Sequence, residues 1–309
     1  MGAGHDHGSA LDARRAGDRV RLRVALCIVV VVLVAEVVGA ALTGSLALLA
    51  DAGHMASDAI GLIVALVASG IAARPATDRH TYGFRRVEVL AALVNGVLLT
   101  VLAVTIGIEA IRRLLPAEEA QVDAAPMLAV AILGLVANLV ALLVLRGGDR
   151  SSLNMRGAIL EVVGDLLGSV AAIAAAIVIL ATGFAGADAL ASLAIALLIA
   201  PRAVLLLRDV MRVLTESAPR ETDVQQIRRH IEADPAVVAV HDVHIWTITS
   251  GSPVFTAHVV VEPDVLVRGE VGEVLDRLGG CLAGHFDVAH STFQIEPHGH
   301  AEREEHAHR

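Results

Sequence analysis

Leu48–Gly61 read LLADAGHMASDAIG, which sets Asp51, His54 and Asp58 inside a long apolar segment. His54 and Asp58 are four apart, so on a helix they stack on one face. Asp51 lies three before His54 and joins the same stripe. A second pair, Glu161 and Asp165, follows much later in AILEVVGDLLGSV. An ionisable group at the centre of a membrane helix costs about 2.5–3.5 kcal/mol. Four of them without partners would cost roughly 10 kcal/mol. Two helices that each offer an i,i+4 pair of N/O ligands can assemble a four-ligand tetrahedral site for a divalent metal.

The rest of the chain agrees with burial in lipid. Of its 309 residues, 55% are hydrophobic and 18% charged, with mean hydropathy +0.68, which is a membrane composition. Aromatic residues make up only 2%, so aromatic belts do not mark the interfaces. Every fixed cation is an arginine; there is no lysine. The formal charge of −9 argues against a nucleic-acid partner. Cys27 and Cys281 fall in very different surroundings, and neither has thiolate-metal spacing. The polar start is read as a tail before a retained span, because the first apolar run is long enough to span and lacks a cleavage pattern.

Taken in order, residues 1–19 are expected to be a disordered tail, holding His5-Asp6-His7 as a solvated or weakly metal-capturing segment. Spans are predicted over about 24–43, 46–72, 88–111, 126–146, 157–182 and 189–207. Together they predict a membrane domain of six transmembrane helices over residues 20–207. Arginine asymmetry between the loops predicts both termini in the cytoplasm of a cell whose inner (plasma) membrane the chain crosses. From about 208 the pattern turns soluble. An amphipathic helix, a hairpin turning at Ser250-Gly251, a second helix and a third strand give the order αββαβ. This predicts a small α+β domain over 208–297, and a histidine-containing tail over 298–309.

Among the candidate site residues, His54 is the only histidine inside any predicted span. Beside carboxylates it reads as a metal ligand rather than a packing residue. Asp51 reads either as a helix cap or as lining of the outer mouth. Glu36 and Asn95 read as interhelical hydrogen-bonding groups. A bis-histidine haem site within one chain, an HExxH protease motif and a GxxxxGK[ST] nucleotide loop are all absent, so the chain is not read as an enzyme. On the last strand, alternation puts His290, Thr292, Gln294 and Glu296 on one face. His241, His258 and Glu296 on neighbouring strands are either a zinc site or a set of surface groups.

LLADAGHMASDAIG, TYGFRRVEVLAALVNG, EVVGDLLGSV and VHDVHIWTITSGSPVFTAHVVVE together resemble the cation diffusion facilitator family of zinc, cadmium and cobalt efflux transporters. The likeness covers about residues 20–296. It implies six membrane helices, a cytoplasmic ferredoxin-like domain that regulates and dimerises, a homodimer, and exchange of metal against protons. It further implies that His54, Asp58, Glu161 and Asp165 are the transport site, although the second pair is usually His and Asp. Glu161 keeps an oxygen ligand and makes the site harder and more negative. His241, His258 and Glu296 match the family's cytoplasmic metal site. The loop site between the second and third spans survives only as His80 with Asp78, and Phe84 stands where some members have histidine.

Energetics favour the antiport reading. Exporting a divalent ion against 100 mV costs about twice 2.3 kcal/mol, and each entering proton returns about 2.3 kcal/mol. The four ligands bind metal only when deprotonated, so one set of groups can carry either cargo. The predicted substrate is Zn²⁺, with Cd²⁺ and Co²⁺ as further candidates. The alternatives are a harder ion such as Mn²⁺, or a metal-sensing membrane module.

Overall fold

The computed structural model describes residues 7–115, 121–147, 153–220, 222–249, 252–286, 288 and 290–300. Ser250-Gly251, residues 1–6 and residues 301–309 lie outside them, and with them His5, Asp6, His306 and His308. Six long helices come first: α1 His7–Thr43, α2 Leu46–Ala72, α3 Arg86–Leu114, α4 Ala124–Arg146, α5 Leu153–Thr182 and α6 Gly186–Leu214. Each contains a stretch long and apolar enough to cross a membrane. Their outward side chains are large and apolar, such as Val31, Leu66, Leu160 and Leu197, a pattern stable only in lipid. The chain is a multi-pass membrane protein.

Two boundaries differ most from the expectation. The first helix begins at His7, inside the stretch expected to be a tail. The sixth continues to Leu214, past its expected end near 207. Residues 7–63 and 94–205, where described, form one compact unit; residues 64–93 and 206–300, where described, form the other.

Within the first unit, α1 packs on α4, and α4 on α5. Small residues permit the close approach, as where Gly39 faces Val130. α1 and α2 are joined by a tight turn at Gly44, whose φ of +70° suits a residue without Cβ. The start of α2 is tied to α6 by Asp188. Ser45 Oγ donates to its Oδ1 at 2.6 Å, and the Leu46 and Ala47 amides donate to it at 2.7 and 3.2 Å. A carboxylate accepting the first free N–H groups of a helix is an N-terminal cap supplied from another segment. Asp188→Ala is expected to strand these buried donors and cost about 2 kcal/mol, read as a lowered unfolding midpoint in detergent.

In the second unit, α7 Val224–Glu232, β1 Val237–Thr247, β2 Pro253–Val261, α8 Pro263–Arg268, α9 Val271–Phe286 and β3 His290–Glu296 form the α+β domain. Its order is the expected αββαβ with one addition, the short helix α8 opened by Pro263. β1 pairs antiparallel with β2, and β2 parallel with β3, giving sheet order β1-β2-β3. Phe255 and Val259 of the sheet pack on Ile227 and Ile231 of α7 and Leu278 and Leu282 of α9. Asp223 caps α7 by accepting from the Gln225 and Gln226 amides.

Candidate metal sites

The first site lies in the first unit. Asp51, His54, Glu161 and Arg202 line one cavity of about 440 Å³ between α2, α5 and α6. The helical repeat brings His54 and Asp58 to one face of α2, with His54 Nε2 3.6 Å from Asp58 Oδ2. Glu161, from α5, meets the Asp58 carboxyl. Asp165 sits one turn deeper, only 2% exposed, and feels the charges of Asp51, Asp58 and Glu161. Of the four residues expected as ligands, His54 and Glu161 line the cavity, Asp58 lies against His54 with Arg202 beside it, and Asp165 is buried one turn beyond Glu161. They do not close to ligand spacing: among the described residues, the only group of three metal-binding side chains within 4.8 Å lies elsewhere. Instead, Arg202 Nη1 reaches Asp58 Oδ2 at 3.1 Å.

Sequence reading missed Arg202. Its signal is there, a lone cation inside the sixth apolar span and directly after Pro201, which cannot donate a helical hydrogen bond. Asp51, left open between cap and lining, lines the cavity and turns its carboxyl to Glu36 of α1. A Cβ at Gly168 would run into that carboxyl, so the glycine is what admits Asp51. Neither group makes the expected interhelical bond in full: both Glu36 carboxylate oxygens, and the Oδ1 of Asn95, which faces Gly61, are without a hydrogen-bond partner among the described residues.

The second site is the close group of three. His241 and His258 stand opposite each other on β1 and β2. Glu296 ends β3, two positions along from Gln294, the partner of His258. His258 Nδ1 lies 2.9 Å and His241 Nε2 3.5 Å from the Glu296 carboxylate, which is 1% exposed. Two imidazoles and a buried carboxylate within 4.8 Å are a ligand set suited to zinc. Gln294 Nε2 donates to Glu296 Oε1 at 2.9 Å and helps fix the carboxylate. Just past His241 the strand bulges at Asp242, whose φ is +50°. Beyond the bulge His244 faces Asp242 rather than Glu296.

The loop pair fares differently. His80 is exposed, closes a turn with Thr77, and stacks on Phe84 with ring centres 4.4 Å apart. His80 and Asp78 belong to no group of three potential ligands among the described residues.

Residues 22–215 match the cation efflux transmembrane domain, and residues 219–298 match the cation efflux protein cytoplasmic domain. The chain belongs to the cation diffusion facilitator family. The facilitator is 43% identical over 96% of its length to a metal cation efflux system protein, CzcD, of Cupriavidus metallidurans, covering 90% of that relative. It is 40% identical to a cadmium, cobalt and zinc/H(+)-K(+) antiporter of Bacillus subtilis, over 96% of this chain and 93% of the other. It is 41% identical to the zinc transporter ZitB of Escherichia coli, over 84% and 82% of the two chains. A solved structure of the metal-bound C-terminal domain of the CzcD transporter is 40% identical and covers 24% of this facilitator and 99% of that chain, with a TM-score of 0.22.

Proposed function

We propose that this facilitator exports divalent transition-metal cations from the cytoplasm in exchange for protons, with Zn²⁺ the principal substrate and Cd²⁺ and Co²⁺ also carried. The observation that carries this is the meeting of α2 and α5 at one membrane-embedded cavity, where His54 and Glu161 are lining residues, Asp58 lies 3.6 Å from His54, and the buried Asp165 follows one turn after Glu161. Side chains of this kind are costly at membrane depth and recur where ions pass. A metal sensor needs no ligands there. The named relatives transport zinc, cadmium and cobalt, and one exchanges them for protons and potassium. The protein sits in the inner membrane as a homodimer, with both termini cytoplasmic.

The four ligands carry metal in one direction and protons in the other. Each must be deprotonated to bind metal, so protonation from the acidic side displaces it. The test is zinc flux into proteoliposomes under an imposed pH gradient. Flux should follow the gradient and collapse with a protonophore. A sensor would show zinc binding with no gradient-driven flux.

The cytoplasmic group His241, His258 and Glu296 is read as regulatory, because it lies outside the six spans and cannot conduct. Calorimetry on residues 208–297 should show zinc binding that His258→Ala weakens by at least about tenfold. Ending at Pro297 removes the tail histidines, which would otherwise imitate the site. No zinc binding by that fragment would remove the assignment.

A further inference from the structure

Arg202 is the feature that the transport reading leaves unused. It is a full cation within the sixth span, bonded to a proposed ligand at 3.1 Å. It lines the same cavity as Asp51, His54 and Glu161. Its charge is felt by His54, Glu161 and Asp165 as well. A cation placed beside a cation-binding site weakens that site unless it offsets an excess of negative charge.

If the four residues proposed above hold the metal, such an excess exists. In the metal-bound form Asp58, Glu161 and Asp165 bring three negative charges and His54 none. A divalent ion offsets two of them. Asp51, the other acid lining the cavity, turns to Glu36 and stands outside this set. We propose that Arg202 is the fixed counter-charge of the transport cavity, offsetting the carboxylate of Glu161 so that a bound divalent ion leaves the site neutral. In the metal-free cavity its guanidinium holds Asp58. The arriving metal takes Asp58 over, and Arg202 stays beside the ligand cluster as its third positive charge. Arg202 is thus a positioning and affinity-setting residue, not a ligand.

Two consequences have opposite sign. Removing the arginine leaves one unbalanced negative charge and should tighten zinc. Replacing Glu161 by histidine keeps a ligand, removes one negative charge, leaves Arg202 unopposed and should loosen zinc. Making both changes should return the balance. Arg202 has a half-exposed side chain, so its replacement does not open a core cavity.

The experiment is zinc titration calorimetry on the purified full-length protein with His258→Ala, which silences the cytoplasmic site, and with His5, His7, His298, His300, His306 and His308 each replaced by alanine, so that the tails do not bind zinc. Zinc flux is measured in parallel. Arg202→Gln is expected to tighten zinc about tenfold and to slow its release and turnover. Arg202→Lys, which keeps the charge, should stay within about threefold of the parent. Glu161→His should loosen zinc about tenfold, and Glu161→His with Arg202→Gln should return to within about threefold. Three results would each overturn the proposal: an Arg202→Gln affinity equal to the parent's, a lysine variant that behaves like the glutamine variant, or a double variant no tighter than Glu161→His. Asp58→Ala, run alongside, separates the two readings. Zinc binding lost there but unmoved by Arg202→Gln removes only the counter-charge; parent-like binding by Asp58→Ala removes the transport site itself.

Discussion

Asp58→Ala and Asp165→Ala are each expected to reduce zinc flux in proteoliposomes to background while the protein remains folded and inserted. An outer-shell partner of a metal ligand is commonly worth 10–100-fold in affinity, so a direct charged ligand should exceed about 100-fold. The two variants remove different contacts. Asp58 also holds Arg202, so its loss frees a cation in the cavity. Asp165 is 2% exposed and makes no hydrogen bond to Arg202 among the described residues, so its loss removes a carboxylate from the deep end of the site alone. A shared loss of flux therefore reports the common property, which is metal ligation. Neither alanine strands a hydrogen-bond donor at a helix terminus, unlike Asp188→Ala, so folding should survive both. The check is flux together with a monodisperse elution profile in detergent. Near-normal flux in both variants would remove the assignment.

The parts of the molecule that could be read from sequence are those set by a single local rule. Lipid demands about 20 apolar residues per helix, so the six spans were visible with no knowledge of their partners. The i,i+4 spacing fixed which residues share a face of α2 and of α5. Strand alternation put Glu296 on the same face as Gln294. What stayed hidden depends on residues far apart in sequence. Arg202 meets Asp58 across 144 positions, and Ser45 meets Asp188 across 143. In a hydropathy window Arg202 is one tolerated charge, and its meaning appears only when α6 is set against α2. The bulge at Asp242 was hidden for another reason: a single residue with φ of +50° breaks the alternation from which His244 would be placed. The short helix α8 is a further local device, signalled by Glu262-Pro263 but shorter than the patterns that periodicity resolves.

Glu161→His is expected to narrow the metal range toward zinc even while it lowers absolute affinity. In the native site three carboxylates and one imidazole face the ion, a set rich in hard oxygen ligands. Such a set discriminates weakly against Mn²⁺ and Co²⁺, whereas added imidazole favours zinc over manganese by ligand type. Zinc accepts either set in tetrahedral geometry, so it should remain a substrate throughout. Selectivity and affinity part company here because they respond to different properties of residue 161. The donor atom sets the ranking of metals, and the charge, against Arg202, sets how tightly any divalent ion is held. Arg202→Gln in the same background should restore affinity to zinc and cobalt alike and leave the new ranking in place. The measurement is competitive flux of zinc, cadmium, cobalt and manganese in the parent, Glu161→His and the double variant. A ranking unchanged by Glu161→His would mean that the Glu161 carboxylate does not touch the ion. Asp51, which lines the same cavity beside His54, would then be the first candidate for the fourth ligand.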